Sequence, residues 1–347
     1  MEMLAARLYG KNDLRVEKIP VPTIADDEIL LRVKAASVCG TDLRMLLNGA
    51  AGVDEAHPLV LAHEFSGIIE KTGPLVNGYQ PGDRVSVAPN IGCGICVYCV
   101  SGNGHHCKSL TALGIHIDGG FAEYVRIPAA AVRLGNVSPL DHNVSFGAGA
   151  ANEALSCVYN AFGRYGVYPG DTVLIIGAGA IGLMHAKLAK MAGAAKVLMN
   201  DLSADRLRAC AEIEPSVIMI RDNLEQRMLE ETFSAGADVV VTACSSAAAQ
   251  RIAFSLAGID GRVNFFGGLP KGKEHVELDT NLIHYKQLSV TGTTRASLNH
   301  YRKTLQFIAS GLVDLDSLIT HKFSLQDIQI AFDNAANTSG LKQIVVF

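Results

Sequence analysis

The chain has 347 residues, 49% of them hydrophobic and 18% charged, with a formal net charge of −4. That length exceeds one ordinary core and predicts two domains. The near-neutral balance, with no block of basic residues, argues against nucleic acid as a partner. No run of about 18 uncharged apolar residues is present to span a membrane.

The first ten residues carry Glu2 and Arg7 and do not read as a secretion signal. A cytoplasmic location is expected, so the eight cysteines are not read as disulfides. Residues 28–38, 65–72, 83–88 and 121–127 are short apolar or alternating runs. They are punctuated by Pro20, Pro22, Gly73-Pro74, Pro81-Gly82 and Gly119-Gly120. This spacing predicts a β-rich, barrel-like antiparallel domain. Near residue 150 the pattern changes. Residues 153–165 read as a helix stopped by Gly166. Strand candidates follow at 172–176, 196–200, 217–220, 238–242, 262–266 and 288–291, with helices such as 181–191, 204–213 and 247–257 between them. Alternating strands and helices predict an α/β unit with a doubly wound parallel sheet. The tail, 298–347, reads as helices and a last strand at 342–347 that need not join that sheet.

Gly177-Ala178-Gly179-Ala180-Ile181-Gly182 is a G-x-G-x-x-G run between an apolar strand and a helix. The first glycine permits a tight turn, the second lets the backbone approach a pyrophosphate, and the third lets helix and strand pack closely. Free N–H groups at the helix start would face the phosphates. Asp201, nineteen residues past Gly182, is placed to bond a ribose 2′-hydroxyl. NAD is therefore expected rather than NADP, a preference that Arg206, within reach of the same ribose, weakens.

Cys93, Cys96, Cys99 and Cys107 fall within fifteen residues, with glycines at 92, 94, 102 and 104 for the turns. Four thiolates make a closed tetrahedral zinc shell, so this ion is expected to hold a loop rather than do chemistry. An iron–sulfur cluster also takes four cysteines, but this spacing matches no ferredoxin pattern. His105 and His106 beside it read as surface residues.

A catalytic zinc needs about three protein ligands and an open position. Cys39, His63, Glu64, Glu153 and Cys157 are candidates, but spacing alone does not select them. A lone Cys39 after a strand can equally be buried and inert, and His63-Glu64 can be a plain surface pair.

Cys39-Gly40-Thr41-Asp42, His63-Glu64-Phe65-Ser66-Gly67, Gly82-Asp83-Arg84-Val85, the four cysteines, Gly119-Gly120-Phe121-Ala122-Glu123-Tyr124 and the glycine loop occur in the order seen in zinc-containing medium-chain dehydrogenases. The chain resembles that family over essentially its whole length, and most closely its sorbitol, threonine and galactitol-phosphate dehydrogenase branch. The resemblance implies a GroES-like catalytic domain of residues 1–153 and 294–347, split around a Rossmann NAD-binding domain of residues 154–293. It implies two zinc ions per chain. The catalytic one would be held by Cys39 and His63, with Glu64 as ligand or close partner and Glu153 at the family's further glutamate. Cys157, one turn on, is the competitor for that role.

The implied reaction oxidises a secondary alcohol of a polyol, free or phosphorylated, to a ketone with hydride transfer to NAD. Thr41 would relay the proton. Gly267 and Thr293 would line the nicotinamide side. Relatives are tetramers or dimers, so a homo-oligomer is expected. A threonine or amino-alcohol dehydrogenase is the alternative within the family, and a non-catalytic NAD-binding zinc or redox sensor the alternative outside it. Two departures stand out. Ala62 replaces a glycine and is expected only to tighten packing. Arg44 replaces a histidine that passes protons to solvent, and an arginine cannot be that base. It either faces solvent or binds a phosphate or carboxylate, and His57 or water would carry the proton out.

Overall fold

The computed structural model describes residues 1–337 and 340–347. It divides into two compact units, Met1–Ser156 with Ala296–Phe347, and Cys157–Arg295.

In the first unit the hairpin Glu2–Gly10 and Asp13–Pro20 turns at Asn12, whose φ of 58° is the left-handed conformation that asparagine tolerates. Among the described residues the main sheet has seven strands. It runs Val137–Pro139, Arg84–Val87, Phe65–Thr72, Ile29–Ser37, Lys342–Val346 and Ile319–Phe323, with Tyr124–Ile127 also paired to Ile29–Ser37. The chain's last strand is thus a central one: Val345 lies opposite Ala36 on Ile29–Ser37. Along Ile29–Ser37, Arg32 and Lys34 turn outward while Ile29, Leu31 and Val33 are buried, the period-2 pattern of a strand over a core. Phe65, Phe121 and Phe332 close that core, each contributing about 1.5–3 kcal/mol by burial.

The second unit is a six-stranded parallel sheet. In sequence order its strands are Thr172–Ile176, Lys196–Asn200, Ile218–Ile220, Ala237–Thr242, Ala257–Phe265 and Ser289–Gly292, and across the sheet they lie third, second, first, fourth, fifth, sixth. Thr172–Ile176 is apolar after its first residue and buried throughout that stretch, as a central parallel strand must be. The strand order reverses between Thr172–Ile176 and Ala237–Thr242, and such a switch point opens a crevice at the strands' carboxyl ends.

Two helices differ from the sequence reading. The helix expected at 153–165 begins at Phe146, placing Glu153 well inside it. Gly147 and Gly149 suggest a turn in the sequence, but Gly149 is where this helix packs on Leu140 and Ser66, and the Ser145 hydroxyl accepts the Ala148 N–H as a cap. Gly40–Asn48, not among the predicted elements, is also a helix, its first turn closed by Asp42 accepting the Cys39 N–H. No helix among the described residues is long and apolar enough to cross a membrane.

Candidate active site

Cys39 follows strand Ile29–Ser37, and His63 and Glu64 lead into its neighbour Phe65–Thr72. Strand pairing therefore brings them together: one ligand atom from each of Cys39, His63 and Glu64 lies within 4.8 Å of the others. Ala62, just before them, has a φ of 71°, where a side chain costs about 1 kcal/mol that glycine avoids. The Ala62 departure is thus backbone strain rather than tighter packing.

Two residues that the sequence reading passed over complete the cluster. Asp42 is fully buried. Its Oδ2 accepts the Cys39 N–H at 2.8 Å, and its Oδ1 accepts the Ala62 N–H at 3.4 Å and lies 3.8 Å from His63 Nδ1. Lys342, buried in the last strand, donates its Nζ to Glu64 Oε2, while Glu64 Oε1 is buried with no hydrogen-bond partner. A lysine at the head of a terminal strand that runs on into Ile344, Val345 and Val346 was the available signal for it.

Glu153 is buried nearby but lies outside the group of three. Cys157 is half-buried one turn further along the same helix.

Four potential anions, Cys39, Asp42, Glu64 and Glu153, face two cations. Burial opposes a charged His63, yet the Cys39 sulfur, Asp42 and Glu153 outweigh it and hold the imidazole well above its ordinary range. Lys342 is likewise opposed by burial and held up by Glu64, Cys39 and Glu153. Burial pushes the Asp42 carboxyl upward against the pull of His63. A largely buried site with an orphaned carboxylate oxygen, a thiol and an imidazole within 4.8 Å fits a divalent zinc ion.

Thr41 lies on the first turn of helix Gly40–Asn48, and Arg44 Nη2 donates to its Oγ1 at 2.8 Å from an exposed position. His57 is exposed and pairs with Asp54 at 3.2 Å.

The sulfurs of Cys93, Cys96, Cys99 and Cys107 also lie within 4.8 Å of one another. Cys96 and Cys99 are 3.5 Å apart, and the Cys93 N–H points at Cys107 Sγ at 3.3 Å. Backbone N–H groups of Ile95 and Cys96 lower the Cys93 thiol to about 6, whereas burial raises Cys99 to about 11. Four unbridged thiols in this arrangement fit a second zinc. His106 is exposed as expected, but His105 is buried, its ring 3.9 Å from that of His106 and 6.2 Å from His300.

In the second unit, Gly177 ends strand Thr172–Ile176 with a φ of 120°, and a side chain there would lie 2.9 Å from Ala243 O. A side chain at Gly182 would strike Gly177 O. At Gly179 it would meet open space, the side left free for a phosphate group. Ala180 and Ile181 open the following helix with their N–H groups at its start. Asp201 Oδ2 accepts the Ala178 N–H at 2.8 Å and its Oδ1 accepts the Ser203 N–H at 2.9 Å. Arg206 Nη1 is 3.8 Å from Asp201. Gly267 donates its N–H to Thr242 O, and Thr293 follows the last strand with its hydroxyl oxygen buried and without a partner. These groups sit at the carboxyl ends of the sheet, where a dinucleotide fits this fold.

Residues 25–136 match the alcohol dehydrogenase GroES-like domain family and residues 180–310 the zinc-binding dehydrogenase family. Sorbitol dehydrogenase of Bombyx mori is 31% identical, with 99% of this chain and 98% of that one aligned. L-threonine 3-dehydrogenase of Bacillus velezensis is 33% identical over 92% of this chain and 91% of its own. A crystal structure from Sinorhizobium meliloti 1021, bound to NADP, superimposes with a TM-score of 0.89 at 30% identity, covering all of both chains. The chain belongs to the zinc-binding alcohol dehydrogenase family, with a GroES-like domain and a Rossmann-like parallel sheet.

Proposed function

We propose that the chain oxidises a secondary alcohol of a polyol to a ketone, with hydride transfer to NAD. The observation that carries this reading is the gathering of half-buried Cys39 with buried His63 and Glu64, one ligand atom from each within 4.8 Å of the others. The likeness to sorbitol dehydrogenases and the buried Glu153 beside that cluster support a polyol over a simple alcohol.

Cys39 and His63 would hold the catalytic zinc, with Glu64 or Glu153 completing the shell. Lys342 already claims one oxygen of Glu64, which favours Glu64 as a close partner and Glu153 as the further ligand. Cys93, Cys96, Cys99 and Cys107 would hold the structural zinc. Bound zinc supplies Lewis acidity, which lowers the pKa of a hydroxyl.

Thr41 takes the proton of the substrate hydroxyl. Because Arg44 donates to its Oγ1 and cannot accept, Thr41 passes its own proton to water. Asp42 holds His63 and the Cys39 backbone in place. Gly177, Gly179, Ala180, Ile181 and Gly182 seat the pyrophosphate, Asp201 and Arg206 the adenosine ribose, and Gly267 and Thr293 the nicotinamide side. The Asp201 carboxylate repels a 2′-phosphate, so NAD is favoured. In this reading residues 1–153 and 294–347 form the catalytic domain and residues 154–293 the NAD-binding domain. The enzyme works in the cytoplasm as a tetramer or dimer, a setting consistent with its free thiols.

The test is NADH and NADPH production by purified enzyme over free and phosphorylated polyols, with L-threonine included because of the Bacillus velezensis relative. Metal analysis should give about two zinc ions per chain. Turnover of a polyol with NAD is the expected result. Threonine as the sole substrate would replace the polyol reading. One zinc per chain and no turnover of any alcohol would replace both with a non-catalytic zinc sensor.

A further inference from the structure

The helix that begins beside Cys39 carries a cation with no ion-pair partner among the described residues. Arg44 is exposed, one turn along that helix, and its Nη2 is tethered to Thr41 Oγ1 at 2.8 Å. No carboxylate among the described residues lies within ion-pair distance of it. Arg84, Arg251 and Arg302 lack one too, but each donates to a backbone carbonyl, whereas Arg44 donates to a hydroxyl two residues from Cys39.

A guanidinium has five N–H donors in a fixed fork. The bond to Thr41 uses one and orients the rest, so the side-chain freedom that binding would remove is already reduced. Thr41 is the residue to which the reacting hydroxyl is assigned, so the remaining donors lie beside the reacting end of the substrate.

We infer that the substrate is an alcohol bearing a carboxylate or phosphate ester close to the reacting carbon, and that Arg44 is the residue that binds this group. The inference rests on the dehydrogenase reading above and names its substrate class. Arg44 thereby has two tasks, orienting the Thr41 hydroxyl and holding the anion, and both fix the substrate relative to the proton acceptor.

The experiment compares a neutral sugar alcohol, its monophosphate ester and the corresponding sugar acid as substrates of zinc-loaded wild-type, R44A and R44K enzymes with NAD. We expect wild-type kcat/KM to favour one anionic substrate over the neutral one by about tenfold or more. In R44A the ratio should fall to within about threefold of unity, with R44K between, because lysine keeps the charge and loses the fork. The preferred arm, ester or acid, identifies the anion. A second readout needs no turnover of an anion: inorganic phosphate and malonate are tested as competitive inhibitors of the neutral alcohol. The Ki of at least one should rise about tenfold in R44A. An anionic-to-neutral ratio and inhibition that are the same in wild type and R44A overturn the inference and leave the dehydrogenase reading standing. Absence of wild-type turnover with all three substrates overturns both.

Discussion

The four-cysteine loop draws its thiols from fifteen consecutive residues, whereas the Cys39 cluster joins groups as distant as Glu64 and Lys342, 278 positions apart. The loop offers four like ligands, graded from exposed Cys93 to buried Cys107. The Cys39 cluster is mostly buried and mixed in ligand type, with the buried carboxyls of Asp42 and Glu153 beside it. A complete, uniform shell leaves a metal no position for substrate. A mixed and incomplete shell, held by backbone and ion-pair contacts, leaves one. On the proposed reading, the difference separates a staple from a reaction centre within one unit of the fold.

Substitutions break that comparison in graded ways. Cys39→Ser should have the largest effect: turnover falls by about 10³-fold or more while NAD binding, followed by fluorescence titration, is retained. Wild-type turnover in this variant would remove the Cys39 cluster from the mechanism. Lys342→Met leaves Glu64 charged and buried without its partner, which should cost about 3–5 kcal/mol in denaturant unfolding of chelated protein. If zinc-loaded protein loses much less, Glu64 has turned to the metal, which would make it a ligand rather than a partner.

Cys96→Ser should lower bound zinc by about one ion per chain and lower the melting temperature, by about 2–4 °C for each kcal/mol lost. The affinity for substrate in the remaining folded enzyme should change little. A change in kcat as large as that of Cys39→Ser would erase the distinction between staple and reaction centre.

Acid sensitivity provides a control in the other unit of the chain. His185 is wholly buried, bonded to Tyr165 at 2.9 Å, and burial lowers its pKa to about 3. Between pH 3 and 6.5 the unfolded chain binds a proton that the folded one does not. Stability therefore rises with pH in that window by about 1.4 kcal/mol per unit. At pH 5 the loss attributable to His185 is about 2 kcal/mol. His185→Gln, unable to titrate, should show a shallower acid slope of denaturant stability over that range. An unchanged slope would place the acid lability elsewhere than at His185.

Much of the fold follows from local signals. The strands of the parallel sheet, the glycine loop and Asp201 were legible because each depends on neighbours within about twenty residues: an apolar run, a turn, a helix start, the next strand end. The four-cysteine site was legible for the same reason. The helix at Gly40–Asn48 was not, because Gly40 and Asn48 disguise its ends and its cap is the Asp42 side chain rather than a serine or threonine. The early start at Phe146 was hidden by Gly147 and Gly149, which serve packing instead of a turn.

What the sequence by itself determined is the set of parts: two units, a dinucleotide loop, a closed thiol cluster and a list of candidates for a second ion. Only the tertiary structure decided which candidates meet. It joined Cys39 to His63 and Glu64 through the pairing of Ile29–Ser37 with Phe65–Thr72, and it placed Asp42 and Lys342 behind them. It left His105 buried rather than on the surface, and it set Ala62 in a left-handed conformation. The physical reason is the range of the interactions. Turns, helix starts and short thiol spacings are settled by adjacent backbone. The charge balance of a buried pocket depends on which strands pair, and Lys342 reaches Glu64 only because the last strand of the chain lies beside one of the first.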